Sequence, residues 1–152
     1  MLSFLRGEVV AVSGTTVAVD VHGVGYEVNV SPKTLSQLRI GAGVFMPVKL
    51  IVREDAHILY GFATKEEREM FTNLIAVSGI GPNTAMIMLS SLIPEEIAHA
   101  IQREDVQTIQ SIKGIGAKTA QRVILDLKDK VSKMNFGTEN IFSQNNTNRF
   151  DA

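Results

Sequence analysis

The chain contains no cysteine and no tryptophan, few aromatic rings and no surplus of positive charge. Without cysteine there are no disulfides, no thiolate metal ligands and no cysteine nucleophile, a composition that fits a reducing cytoplasm, where the chain is expected to reside. Aromatic residues make up 6% of the sequence, which leaves few rings on which unpaired bases could stack. Lys and Arg number 15 against 16 Asp and Glu, for a formal net charge of -1. That balance excludes adhesion to nucleic acid by bulk attraction alone, because counterion release scales with the number of phosphates neutralised. Contact with a polyanion would have to be local, through backbone amides and a few placed cations. No apolar run approaches membrane-spanning length, and Met1 to Gly7 is too soon interrupted for a signal sequence, so no membrane partner is expected. His22, His57 and His99 stand apart, with neither metal-ligand spacing nor a nucleophile beside them, and no metal, cofactor or catalytic residue is expected.

What is present is a globular composition of 152 residues, 45% hydrophobic, enough for one large or two small domains. Its organising feature is a motif stated twice. Val77-Ser78-Gly79-Ile80-Gly81-Pro82-Asn83-Thr84-Ala85 returns as Ile112-Lys113-Gly114-Ile115-Gly116-Ala117-Lys118-Thr119-Ala120. Such an echo is an internal repeat. In each copy two glycines flank an isoleucine that should point inward, and both glycines are expected to turn the backbone at positive φ with their amides uncovered. A helix follows each copy, so these amides and the unpaired N–H groups of the helix start are expected to converge on one spot that attracts an anion such as phosphate. A single copy could equally be a helix C-cap followed by a new helix; the matched pair favours the phosphate reading.

From Leu5 to Phe62 the pattern has period two with turn punctuation. Gly7 to Val12 and Thr15 to Val21 read as strands joined at Ser13-Gly14, and Tyr26 to Val30 as a third. Ser31-Pro32 predicts a short helix over Lys33 to Leu38, and Val44 to Val52 and Ile58 to Phe62 complete five strands. This predicts a small closed barrel of the OB type over residues 1–63. Its aromatics, Phe4, Tyr26, Phe45, Tyr60 and Phe62, mostly fall at positions expected in the core. Arg53-Glu54-Asp55-Ala56 connects the last two strands, and composition alone makes it a solvated turn.

The composition changes at Thr64, where Thr64-Lys65-Glu66-Glu67 is a capping box. Helices are predicted from there, over Thr84 to Leu92, after Ile93-Pro94-Glu95-Glu96, over Val106 to Ile112, and after the second Gly-Ile-Gly. In the last, Ala120, Val123, Ile124, Leu127 and Val131 form one apolar stripe, with Lys118, Gln121 and Arg122 off it. The fold class is therefore α+β, with an all-α domain of two helix-hairpin-helix motifs over residues 64–132. Residues 133–152, rich in Asn, Ser, Thr and Gln, read as a flexible linker or tail.

The paired hairpins, the strand Gly23-Val24-Gly25-Tyr26-Glu27-Val28, and above all Val52-Arg53-Glu54-Asp55-Ala56 through Leu59-Tyr60-Gly61-Phe62 resemble the RuvA family, which binds Holliday junctions in bacterial branch migration. The resemblance runs from about Met1 to Val131. It implies a homotetramer, single or doubled into an octamer, that holds an open four-way DNA junction and grips each duplex arm by its minor-groove phosphates. The positions matching the family's hairpins are Ser78, Gly79, Gly81 and Asn83, then Gly114, Gly116, Ala117, Lys118 and Thr119, with Arg122 one turn on. Glu54 and Asp55 match its acidic pin, which repels phosphate near the junction centre and helps part the strands, with Arg53 beside them as a DNA contact. The resemblance also implies a RuvB-type ATPase motor and a RuvC-type resolvase as partners of the full-length protein. The chain itself is then a non-catalytic subunit of an ATP-dependent helicase complex.

Two departures stand out. Asn83 and Ala117 occupy positions where the family often carries cations, and the family's third, motor-contacting helical domain is expected to be absent from this sequence, with Phe150-Asp151-Ala152 read as its first turn cut short. Two other functions compete. A nucleotide-binding enzyme is suggested by Gly116-Ala117-Lys118-Thr119, which looks like the end of a phosphate loop. A full loop needs glycine where Ile112 and Ala117 stand, and a preceding strand rather than a helix. A generic OB and helix-hairpin-helix module for RNA or single strands would need more exposed aromatics.

Overall fold

The computed structural model describes residues 1–136, which form two compact units, Met1–Arg68 and Glu69–Phe136. The expected tail therefore lies almost entirely outside the described residues.

Alternation of apolar and polar residues makes the first unit a sheet. Strands β1 (Phe4–Ser13), β2 (Thr16–Val21), β3 (Val24–Asn29), β4 (Gly43–Val52) and β5 (His57–Gly61) close into a barrel in the order β1-β2-β3-β5-β4. All ladders are antiparallel except β3 with β5. The long β1 serves two neighbours, pairing with β4 through Phe4 to Glu8 and with β2 from Glu8 onward. A register shift between Val9 and Ala11 lets it bend from one to the other. The β2–β3 connection is the two-residue turn His22-Gly23. Both residues have positive φ, 51° and 90°, as the right-handed twist of a tight hairpin requires. Alternate residues Val17, Val19, Val28, Val30, Met46 and Val48, with Leu5 and Leu59, fill the interior.

The helix between the third and fourth strands is shorter than predicted: α1 is Pro32–Leu35, capped by Ser31 Oγ, which accepts from the Thr34 amide at 3.1 Å. The expectation that most barrel aromatics are core holds for Tyr60 and Phe62, both buried, and for Tyr26, half-buried against the core. It fails for Phe4 and Phe45. Leu5 and Met46 point inward, so their neighbours point out, and Phe4 is 48% exposed.

The second unit begins within α2 (Lys65–Ile75), about one turn past the composition change at Thr64, whose Oγ1 accepts from the Glu67 amide at 3.1 Å. Then follow α3 (Pro82–Ser91), α4 (Pro94–Gln102), α5 (Val106–Gln110) and α6 (Ala117–Ser132). Glu96 carboxylate accepts from the Ile93 amide at 3.0 Å and starts α4. The predicted stripe of α6 is buried in full, packed against α4 and α5. Helix α5 stops at Gln110, two residues before the predicted end, because Ile112 turns into the second hairpin.

Gly7 has a close-approach reason for being glycine. A Cβ there would stand 2.1 Å from the Asp20 carbonyl oxygen on the neighbouring strand, and ladder backbone cannot yield as a side chain can. Gly7→Ala is expected to cost about 1–3 kcal/mol in urea denaturation, the range for forced overpacking, with an unchanged m-value.

Candidate nucleic-acid interface

The two Gly-Ile-Gly segments fold alike to the level of single hydrogen bonds. The amides of Val77 and Ile112 donate to the carbonyls of Leu74 and Ile109, at 3.0 and 3.2 Å, and so end the preceding helices. The amides of Ile80 and Ile115 donate back to Val77 and Ile112, at 3.1 and 3.2 Å, and close each loop. Gly81 and Gly116 carbonyls accept from Ala85 and Ala120, both at 3.0 Å, and begin α3 and α6. Burial repeats as well: Val77 and Ile112, Ile80 and Ile115, and Ala85 and Ala120 are all buried.

The expectation that both glycines of each copy turn at positive φ is half right. Gly79 and Gly114 do, at 96° and 90°. Gly81 and Gly116 lie in the extended region, at -92° and -88°, because each is the N-cap of the next helix. Neither has a side chain to cap with, and neither helix has a side-chain cap bond from that position. A Cβ at Gly81, Gly114 or Gly116 would meet nothing within 4 Å, so the loops present bare backbone to open space. The positive end of a helix dipole and its first amides then face that space without an internal acceptor from the cap residue.

The predicted site residues distribute as follows. Ser78, Gly79, Gly81 and Asn83 are exposed on the first hairpin, and Gly114, Gly116, Ala117 and Lys118 on the second, while Thr119 is half-buried. The structure brings the hairpins together: a Cβ on Gly79 would sit 3.5 Å from Thr119 Oγ1. Arg122 is exposed one turn beyond Lys118, on the same face of α6. The copies are unequal, as the residues already imply by placing Lys118 and Arg122 on the second. Pro82 at the first position of α3 has no N–H, whereas Ala117 at the same position of α6 keeps its own, so the second copy has one more donor as well as two cations.

Arg53, Glu54 and Asp55 lie in the other unit, all exposed in the four-residue connection between Val52 and His57. The Arg53 amide donates to the Ala56 carbonyl at 2.8 Å and closes the turn, leaving the two carboxylates at its tip.

Family comparisons agree with this division. Residues 1–61 match the family described as RuvA N terminal domain, and residues 71–129 match the SAM-like helix-hairpin-helix tandem. A protein of Christiangramia forsetii is 52% identical over all of this chain and 79% of its own length. Its counterpart in Flavobacterium psychrophilum is 51% identical with the same coverage. The chain belongs to the RuvA family. A third RuvA, from Cytophaga hutchinsonii, is 53% identical over 88% of this chain and 67% of its own length, and all three are named Holliday junction branch migration complex subunit RuvA. RuvA membership accords with the α+β fold: a five-stranded OB-type barrel followed by helical hairpins. Among the described residues no helix is long and apolar enough to cross a membrane.

Just ahead of the second hairpin in the chain, α5 is capped by Asp105. Its carboxylate accepts from the Thr108 hydroxyl at 2.6 Å and the Thr108 amide at 3.2 Å, and these bonds, helped by nearby Arg103, hold it below the usual Asp range. A lowered folded-state value contributes stability above the unfolded Asp pKa of about 3.9 and loses it as pH falls through the folded value. Thermal melts taken from neutral to acid pH should therefore fall more steeply for the wild type than for Asp105→Asn, the two diverging as pH falls through the ordinary Asp value and below it. The two glycine roles are also separable. Gly114→Ala, strained at positive φ, should lose about 1–2 kcal/mol of stability in chemical denaturation. Gly116→Ser should lose nothing and gain a few tenths of a kcal/mol, because serine suits an extended N-cap.

Proposed function

We propose that this chain is a structure-selective, non-catalytic DNA-binding scaffold that holds a four-way Holliday junction open for branch migration by a RuvB-type motor. It would act as a homotetramer, singly or as two facing tetramers, and deliver the junction to a RuvC-type resolvase in the course of recombination and repair. The observation that carries this reading is the adjacent pair of hairpins, each ending in a glycine N-cap that leaves helix-start amides without a side-chain acceptor. Two such donor sets suit two phosphates of one duplex arm. Amide-to-phosphate contacts position a duplex without reading its bases, which is what a protein meeting any sequence at a crossover needs.

Within the site the roles divide by chemistry. Gly79, Gly81, Gly114 and Gly116 allow the phosphate backbone to approach. Ser78, Asn83, Ala117 and Thr119 border it, and Lys118 and Arg122 add charge at the second hairpin. Glu54 and Asp55 are the opposing element, two carboxylates that repel phosphate and keep strands apart at the crossover, with Arg53 contacting the backbone beside them. Attraction through a few donors and repulsion through a few acids is compatible with a chain whose net charge is near zero.

Gel-shift competition between a four-way junction and a linear duplex of the same sequence tests the reading; strong preference for the junction is expected, and equal affinity would overturn it. Lys118→Ala should cost about 1 kcal/mol per subunit, roughly fivefold, and lower the salt slope by about one, with Asn83→Ala costing less. Gly116→Ser should bind the junction more weakly at undiminished stability, since its hydroxyl competes for the amides that phosphate would take. Changing Glu54 and Asp55 together to Asn should retain or tighten binding while altering strand separation, and simple loss of binding would remove the pin from the mechanism.

A further inference from the structure

The aromatic pair found outside the barrel core builds a second surface, wholly within the first unit. Phe4 and Phe45 stack with ring centroids 4.7 Å apart and planes 21° from parallel, and the Arg6 guanidinium lies over the Phe45 ring at 5.3 Å. The ladder sets this arrangement, since Phe4 faces Pro47 and Arg6 faces Phe45 across β1 and β4. Beside the stack is a cleft of about 340 Å³ lined by Ser3, Phe4, Arg6, Phe45, Pro47, Lys65 and Arg68. Of these described lining residues three are cations and none is a carboxylate. Arg68 is held in place by donating to the Ser3 carbonyl and, at 3.2 Å, to Ser3 Oγ, so one cation is positioned in advance.

We propose that this cleft binds single-stranded DNA, with one unpaired base stacked on Phe4 and the flanking phosphates at Arg6, Lys65 and Arg68. An exposed ring with cations beside it has the two elements that sequence-tolerant strand binding uses, a π-face for the base and positive charge for the backbone. A duplex offers no free base face to the ring. An acidic peptide would satisfy the charges, but extended peptides gain affinity by adding to a sheet edge, and β1 is paired on both sides in a closed barrel. The surface also differs from the β2–β3 face and adjoining loops that OB barrels ordinarily use. It is independent of the hairpins and adds a hold on strands that have left the duplex.

The test uses the full chain and an oligonucleotide of about fifteen deoxythymidines, within the usual site size of an OB fold, carrying one 5-iododeoxyuridine. Photocrosslinking and mass spectrometry should place the adduct on Phe4 or Phe45. By fluorescence anisotropy Phe4→Ala should bind the oligonucleotide about tenfold more weakly and Phe4→Trp should retain binding, with unchanged thermal melts and four-way-junction affinity. Arg6→Gln should weaken the same binding and is a second variant should Phe4→Ala misfold. Adducts confined to the hairpins, or undiminished binding by both variants, would overturn the proposal. So would competition by polyglutamate as effective as by oligonucleotide of equal charge, which would make the cleft a peptide surface. A change of mass in light scattering for Phe4→Ala without a change in oligonucleotide affinity would make it a contact between copies, and would also overturn it. Junction affinity is measured separately throughout, so failure of the hairpin reading and failure of this one are distinguishable.

Discussion

Ile80 and Ile115 are each buried at the tip of a chain reversal, and the second unit's arrangement of donors follows from how that burial is achieved. Removing an isoleucine side chain from water is worth roughly 1.5–3 kcal/mol. The turn that points it inward requires a residue at positive φ, and a glycine there costs about 0.5–1 kcal/mol in backbone freedom. Burial outweighs the turn, so the loop holds its shape. The second glycine follows from the same geometry: directly after the buried isoleucine the chain must begin a helix on the surface, and at Gly81 and Gly116 it does so with no side chain to satisfy that helix's first amides.

On the proposed reading, those amides would give a nearly neutral chain a means of attracting phosphate that does not depend on net charge. Lys118 and Arg122 reinforce one copy, and Pro82 removes a donor from the other. The hairpins are thus related by sequence and bonding yet unequal in donors and charge. Gly79 and Thr119 bring the two donor sets side by side, and the proposed contact with two phosphates of one arm rests on that proximity.

Much of this was legible beforehand because periodicity reports directly on which face of an element is buried. The α6 stripe from Ala120 to Val131, the five strands and the inward isoleucines all followed from spacing. Phe4 and Phe45 did not. Val44 to Val48 is continuously apolar, so parity along β4 could not be read, and only the closed ladder, with Leu5 opposite Met46, shows which side faces the interior. The conformation of Gly81 and Gly116 escaped for a related reason. Glycine permits positive φ without requiring it, and the start of the next helix decides.

The residues by themselves determined the α+β class, the repeat, the acidic turn and the family resemblance, since each rests on local chemistry: alternation, helical spacing, turn residues and caps. Tertiary structure alone decided what lies beside what. It set Thr119 against Gly79, put two phenylalanines on the outer wall of the barrel, and held Arg68 to Ser3 beside them. Contacts between residues far apart in the chain depend on loop closure and on the packing of whole elements, and no window of neighbouring residues contains that information.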